Sequence, residues 1–298
     1  MNPLLTLSTC WYNLKSKFPP QQYLLWIDNF LSIIKNFNLV IYTDEKGIAD
    51  LMELFKKYHH LINTKIKIII KPLIDFYGYK YKEQWIRNHK ASPLLLHKHI
   101  DWELNMLWCE KVHFVKETIS NKYFETLYYG WCDIGYFRNK NDTINTMHTK
   151  DLLVKGWPNY AKLLTKEFLS VPIHYGCVQN DMAIYDSLKQ DIYNHYYTTN
   201  DTNTNDALIN TQVIKAITDK YDVPCFSGGF FILRPNIITQ YVKLFDDKLN
   251  YYFSNGYFIK DDQTILMDCI FNNPHLFCLH RENNIYFDNW FMFHQILL

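Results

Sequence analysis

An apolar, aromatic run from Thr126 to Cys132 stops abruptly at Asp133, which is followed by Ile134 and Gly135. A carboxylate at the end of a central strand sits at the rim of a sheet, where a metal, a ribose or a diphosphate is met in open α/β folds. Gly135 allows close backbone approach. The plain alternative is that Asp133 caps a turn. About a hundred residues later, Ser227-Gly228-Gly229-Phe230-Phe231 puts paired glycines inside a strand, which implies a bulge or a close approach to a ligand. Asp261-Asp262-Gln263 then opens a helical pattern. Either carboxylate suits a helix cap, and either suits proton transfer if it faces the same ligand.

These residues need elements to hold them. The first half of the chain alternates strand-like runs with helical periods, which predicts βαβ units and a mainly parallel sheet. Leu4 to Trp11, Asn38 to Thr43 and Ile66 to Ile70 read as strands. A helix behind Pro19-Pro20 carries Tyr23, Leu24, Ile27, Phe30, Leu31 and Ile34, and a second runs from Glu45 to Lys57. Leu104, Leu107, Trp108, Val112, Val115 and Ile119 put one helix over Trp102 to Ile119, leading into the strand that ends at Asp133. Later come a strand from Cys225 to Leu233, a helix from Pro235 to Phe253, and a terminal segment from Phe277 that supplies His280. Residues 139 to 222 are polar and lack a clean period, so they read as a loop-rich insertion on a single domain spanning 1 to 298.

The composition narrows the function. With 298 residues, 48% hydrophobic, the chain can bury roughly three quarters of its unfolded surface. Net charge is only +1, with 31 basic and 30 acidic residues and no basic run, which argues against a nucleic-acid partner. Seven scattered cysteines without a Cys-x-x-Cys pair read as buried thiols in a reducing compartment. No stretch of 18 apolar residues predicts a transmembrane segment, and the first residues lack a signal pattern. The expectation is a soluble, cytoplasmic protein, in which the Asn141 and Asn200 sequons are chance.

Trp108-Cys109-Glu110-Lys111, Phe124 and Tyr129-Gly130-Trp131-Cys132-Asp133-Ile134-Gly135-Tyr136-Phe137-Arg138 together resemble the HtrL/YibB-like family of glycosyltransferases. The likeness extends to Thr6, Thr9 and Tyr12, to Leu39 through Asp44, to Ser227 through Phe231, and to Asp261 through Gln263, but not to 139 to 222. It implies a GT-A fold, a Rossmann-like α/β domain that binds a nucleotide-sugar donor, with UDP-sugar favoured, and a carbohydrate or glycoconjugate acceptor. It also implies a divalent ion, Mn2+ or Mg2+, at the strand-end acidic motif. The usual Asp-x-Asp is here Asp133-Ile134-Gly135, with one carboxylate, and His280 is the candidate second ligand. Lys111 and Arg138 would pair with phosphate. Thr9, Tyr12, Thr43 and Asp44 would flank base and ribose, with Ser227, Gly228, Gly229 and Gln263 completing the donor site. Asp262 leads as catalytic carboxylate, with Asp261 able to exchange roles if the helix starts one residue later. The missing second Asp also suits a degenerate domain that binds glycans or a partner without catalysis. A Rossmann oxidoreductase fits less well, because no Gly-x-Gly-x-x-Gly follows the first strand. Tyr160, Tyr175, Tyr185, Tyr193, Tyr196 and Tyr197 are candidates to stack on acceptor sugars.

Overall fold

Runs apolar at every position must be covered on both faces, and the alternation of side chains sends neighbours to opposite cores. Val40 and Tyr42 enter one core with Phe114, Trp131 and Tyr241, while Leu39 and Ile41 enter the other with Ile27, Phe30 and Phe293. The computed structural model describes residues 3–92, 95–139, 147–178, 226–282, 284 and 286–298. Its sheet has the order β3-β2-β1-β4-β6-β5-β7. The strands are β1 Leu5–Trp11, β2 Phe37–Thr43, β3 Ile66–Ile70, β4 Tyr128–Cys132, β5 Ile173–Cys177, β6 Phe226–Leu233 and β7 Phe277–His280.

β1 to β4 are parallel as expected. β6, however, runs antiparallel to both β4 and β5, so the sheet is mixed rather than mainly parallel. The βαβ alternation of the first half sets strand direction only where one helix separates two strands. The approach to β6 has no such period. The reversal has a local consequence: the start of β6, not its end, lies beside the end of β4, and Asp133 donates its backbone N–H to the Gly229 carbonyl at 2.8 Å.

Three further differences concern the elements. The helix expected over Trp102 to Ile119 is two, Trp102–Cys109 and Lys111–Ser120, broken at Glu110. The buried Glu110 carboxylate accepts from the backbone of Tyr77 at 2.8 Å and Gly78 at 3.1 Å. Within 139 to 222, β5 and the helices Thr149–Lys155, Tyr160–Leu163 and Lys166–Ser170 are ordered elements. Tyr175 is buried against Tyr241, their hydroxyls 2.6 Å apart, and Tyr160 donates to the Asn36 carbonyl, so both are packing residues rather than sugar platforms. Asn141, Asn200, Cys225 and the tyrosines 185, 193, 196 and 197 lie outside the described residues. Among the described residues no helix is long and apolar enough to cross a membrane.

Gly130, in the middle of β4, has no room for a side chain: a Cβ there would lie 2.1 Å from the Phe231 carbonyl oxygen. Overpacking of a core costs about 1–3 kcal/mol. Gly130→Ala is therefore expected to destabilise the fold by about that amount or more, and an unchanged unfolding midpoint in urea would refute the packing described.

Candidate functional site

The strand order turns at β1 and β4. In open sheets the space beyond the carboxyl ends of such a pair is not closed by a connection and forms a crevice. A cleft of about 470 Å3 opens there, within the range of small-molecule sites. β1 delivers Cys10 and Trp11 to it, the loop after β1 delivers Tyr12, Lys17 and Phe18, and β4 delivers Trp131 with Asp133 just beyond its end. Ser227, Gly228 and Gly229 enter from the start of β6, and Asp261, Asp262 and Gln263 from the start of the helix Asp262–Asn272.

Lys111, the first residue of its helix, organises the floor. Its Nζ lies 3.1 Å from Asp133 Oδ1 and 2.9 Å from Asp262 Oδ2, and donates to the Gly228 carbonyl at 2.9 Å. An ammonium has three hydrogens, and these three acceptors use them. Burial pushes the Lys111 ammonium towards losing its proton, but the two carboxylates more than offset this and hold its pKa above the ordinary lysine value. Trp131 Nε1 also donates to Asp133 Oδ1, at 2.6 Å. Lys111, expected as a phosphate partner, is thus the internal counter-ion of two carboxylates.

The glycine pair acquires its reason here. A Cβ on Gly228 would lie 2.6 Å from Asp262 Oδ2, and one on Gly229 would lie 3.3 Å from Asp133 Oδ2. The close approach expected towards a ligand is first an approach to the protein's own carboxylates.

Asp261 is the helix cap, its Oδ1 accepting from the Gln263 N–H at 3.1 Å, so Asp262 is released from capping and faces the cleft. Burial raises the Asp262 carboxyl to about 7, with Asp261 and Asp133 acting in the same direction and Lys111 opposing. Burial raises Asp261 as well, opposed mainly by Lys260, Lys111 and Lys17. Gln263 spends its amide on the Phe226 carbonyl, which ties the helix start to β6.

Cations and aromatic rings line the rest. Lys17 Nζ is 5.3 Å from the Trp108 ring centre. Arg138 donates through Nε to the Gly135 carbonyl at 2.7 Å, and its guanidinium lies 4.4 Å from the Trp26 ring centre. Tyr12 lines the cleft while its hydroxyl donates to the Lys71 carbonyl at 2.7 Å. Burial raises the Cys10 thiol well above its ordinary value, which leaves it protonated and unsuited to nucleophilic chemistry.

Four expected residues are not brought to this cleft. Thr9 is buried within β1. Thr43 donates to the Trp11 carbonyl at 2.6 Å, and Asp44 caps the helix Glu45–Lys57 by accepting from Gly47. Thr43 ends β2 and Asp44 follows it, one strand beyond the turn in strand order. His280 ends β7, three places from β4 in the sheet, and meets His174 instead. Sequence reasoning in turn missed Lys17, Asp288 and Trp290, all of which line the cleft. Lys17 was within reach of the same rule that selected Tyr12, because it sits on the same loop after β1. Asp288 and Trp290 carried no periodic signal.

With His280 elsewhere, Asp133 stands without its expected partner for Mn2+ or Mg2+. Its Oδ1 is engaged by Trp131 and Lys111, which leaves Oδ2 for a cation. Among the described residues no set of three His, Cys, Asp or Glu ligand atoms gathers in this cleft.

No protein-family model matches the chain, and no curated protein matches it in sequence. Among solved structures, the crystal structure of mouse xyloside xylosyltransferase 1 in its apo form aligns with 94% of this chain and 85% of that one, at 12% identity and a TM-score of 0.45. So low a likeness decides nothing about the reaction.

Proposed function

We propose that the chain is a glycosyltransferase of GT-A type, moving a sugar from a nucleotide-diphosphate donor, a UDP-sugar by preference, to a hydroxyl of a carbohydrate or glycoconjugate. The observation that carries this reading is the pair of carboxylates, Asp133 and Asp262, held on either side of Gly228-Gly229 by one buried lysine at a strand-order turn. The resemblance of these same segments to the HtrL/YibB-like family points the same way.

The chemistry follows from the placement. The acceptor oxygen bonds to the anomeric carbon as the bond from that carbon to the diphosphate oxygen breaks, and the electron pair leaves with the diphosphate. Asp262 takes the acceptor's proton, which requires its ionised form. Lys17 and Arg138 supply positive charge for the negative charge that grows on the diphosphate, and Trp11, Tyr12 and Trp108 line the space left for the base or sugar. When bound, Mn2+ or Mg2+ at Asp133 would neutralise the leaving diphosphate.

Thermal unfolding with UDP, GDP, dTDP and CMP, each with Mn2+ and with EDTA, tests the donor half of this reading. A ligand at 100 times its Kd stabilises the fold by roughly 2.7 kcal/mol, enough to raise the transition by a few degrees. One nucleotide is expected to do so with Mn2+, less with EDTA, and not in Asp133→Ala. No shift with any nucleotide would sink the proposal. One observation favours a binding module without catalysis: Asp262 already commits Oδ2 to Lys111. Donor binding without transfer or donor hydrolysis would select that reading.

A further inference from the structure

Away from the cleft, three metal-binding side chain types converge at the edge of the sheet. β5 and β7 pair in parallel with His174 opposite Cys278 and Gly176 opposite His280. Opposed residues of paired strands, and residues two apart on one strand, share a face. That places His174, Cys278 and His280 side by side, and their ligand atoms all lie within 4.8 Å of one another. Both histidines are buried and Cys278 is half-buried. The helix Lys166–Ser170 covers them, with Phe168 stacked on His174 at 4.4 Å and on His280 at 4.9 Å between ring centres.

Each ring of this cluster has one inner and one outer nitrogen. His174 Nδ1 and His280 Nε2 face each other at 2.9 Å. Outward, His174 Nε2 meets the Phe168 carbonyl at 3.3 Å, and His280 Nδ1 meets the Glu167 carboxylate at 3.4 Å. The inner nitrogens and the Cys278 sulfur are three ligand atoms gathered at one point. A cation held there leaves the outer nitrogen of each ring to carry its proton. Both rings then donate outward, to a carbonyl and to a carboxylate, the outer partners that metal-bound histidines usually have.

We propose that His174 Nδ1, His280 Nε2 and the Cys278 thiolate bind one zinc ion, with water in the fourth position. Thiolate and imidazole select zinc over the Mn2+ or Mg2+ for which His280 was first considered. Two nitrogens on one tetrahedral zinc stand roughly 3.3 Å apart, so the site opens by about 0.4 Å from its present spacing. The inner imidazole proton moves to an outer nitrogen, and the Cys278 thiol, which donates to Glu167 at 3.7 Å, loses its proton to solvent. One proton is released per zinc bound. The ion ties the four-residue edge strand β7 and the covering helix to β5.

The test uses the full chain, stripped with a chelator, dialysed against limiting Zn2+ and analysed for bound metal. About one zinc per chain is expected for wild type and for Asp133→Ala, and none for Cys278→Ser combined with His280→Asn. Glu167→Gln, at an exposed carboxylate, leaves the core untouched and is expected to weaken zinc by about 10- to 100-fold. The Co2+ form should show thiolate-to-metal charge transfer. A wild type that takes up no zinc, a double variant that keeps it at the same affinity, or a Co2+ spectrum without the thiolate band would each overturn the assignment.

Discussion

Replacing Lys111 with methionine is expected to cost the fold about 3–5 kcal/mol, the usual penalty for removing one partner of a buried ion pair. In a chain of this size that is a fall in Tm on the order of 10 °C. Lys111 is only 5% exposed, and methionine keeps its volume while removing the charge and all three donors. The cost falls mainly on Asp262, whose side chain is 12% exposed, since Asp133 at 40% is partly served by water. The pH dependence has a definite sign. Without its cation, Asp262 holds its proton to higher pH in the folded chain than in the unfolded one. Such a group contributes stability that is present below the unfolded pKa and lost as pH rises through the folded one. The deficit of Lys111→Met should therefore be small in acid and grow through neutrality. Adding Asp262→Asn should recover part of it, through a coupling of about 0.5–3 kcal/mol. A melting curve within a degree of wild type at neutral pH would refute the arrangement.

Asp262→Asn alone is expected to reduce sugar transfer by about 10²- to 10⁴-fold, the span of general base catalysis, while nucleotide-induced thermal shifts persist. The amide keeps the shape of the carboxylate, and Lys111 retains Asp133 and the Gly228 carbonyl. In wild type, kcat/KM should rise with pH through about 7 as the buried carboxyl ionises, and this limb should vanish in the variant. Turnover equal to wild type would remove Asp262 from the base role, whatever the donor proves to be.

Much of the scaffold was legible because its periods are local. The strand Ile66–Ile70 and the helix Glu45–Lys57 fall where apolar spacing puts them, and Asp133 follows the last residue of β4. The break at Glu110 was hidden because Leu107, Trp108, Val112 and Val115 keep one helical stripe running through it. Only the contacts of Glu110 with Tyr77 and Gly78, far away in sequence, reveal the interruption that makes Lys111 a helix start. The same holds for His280: an isolated histidine near the end of the chain gives no sign of which strand it will face. Pairing with β5 decided it. The glycine pair was legible as a close approach, but its neighbour was not, because Asp262 reaches it from another helix.

The hydrogen bond from Asp133 to Gly229 also closes a long excursion of the chain. It adds one more step to the β4–β6 ladder, in which Tyr129 faces Leu233 and Cys132 faces Phe230. The distance between the carboxylate and the glycine that meets it is therefore a property of backbone pairing across one seam, and it is inherited from the register of two strands rather than from any side chain in the cleft.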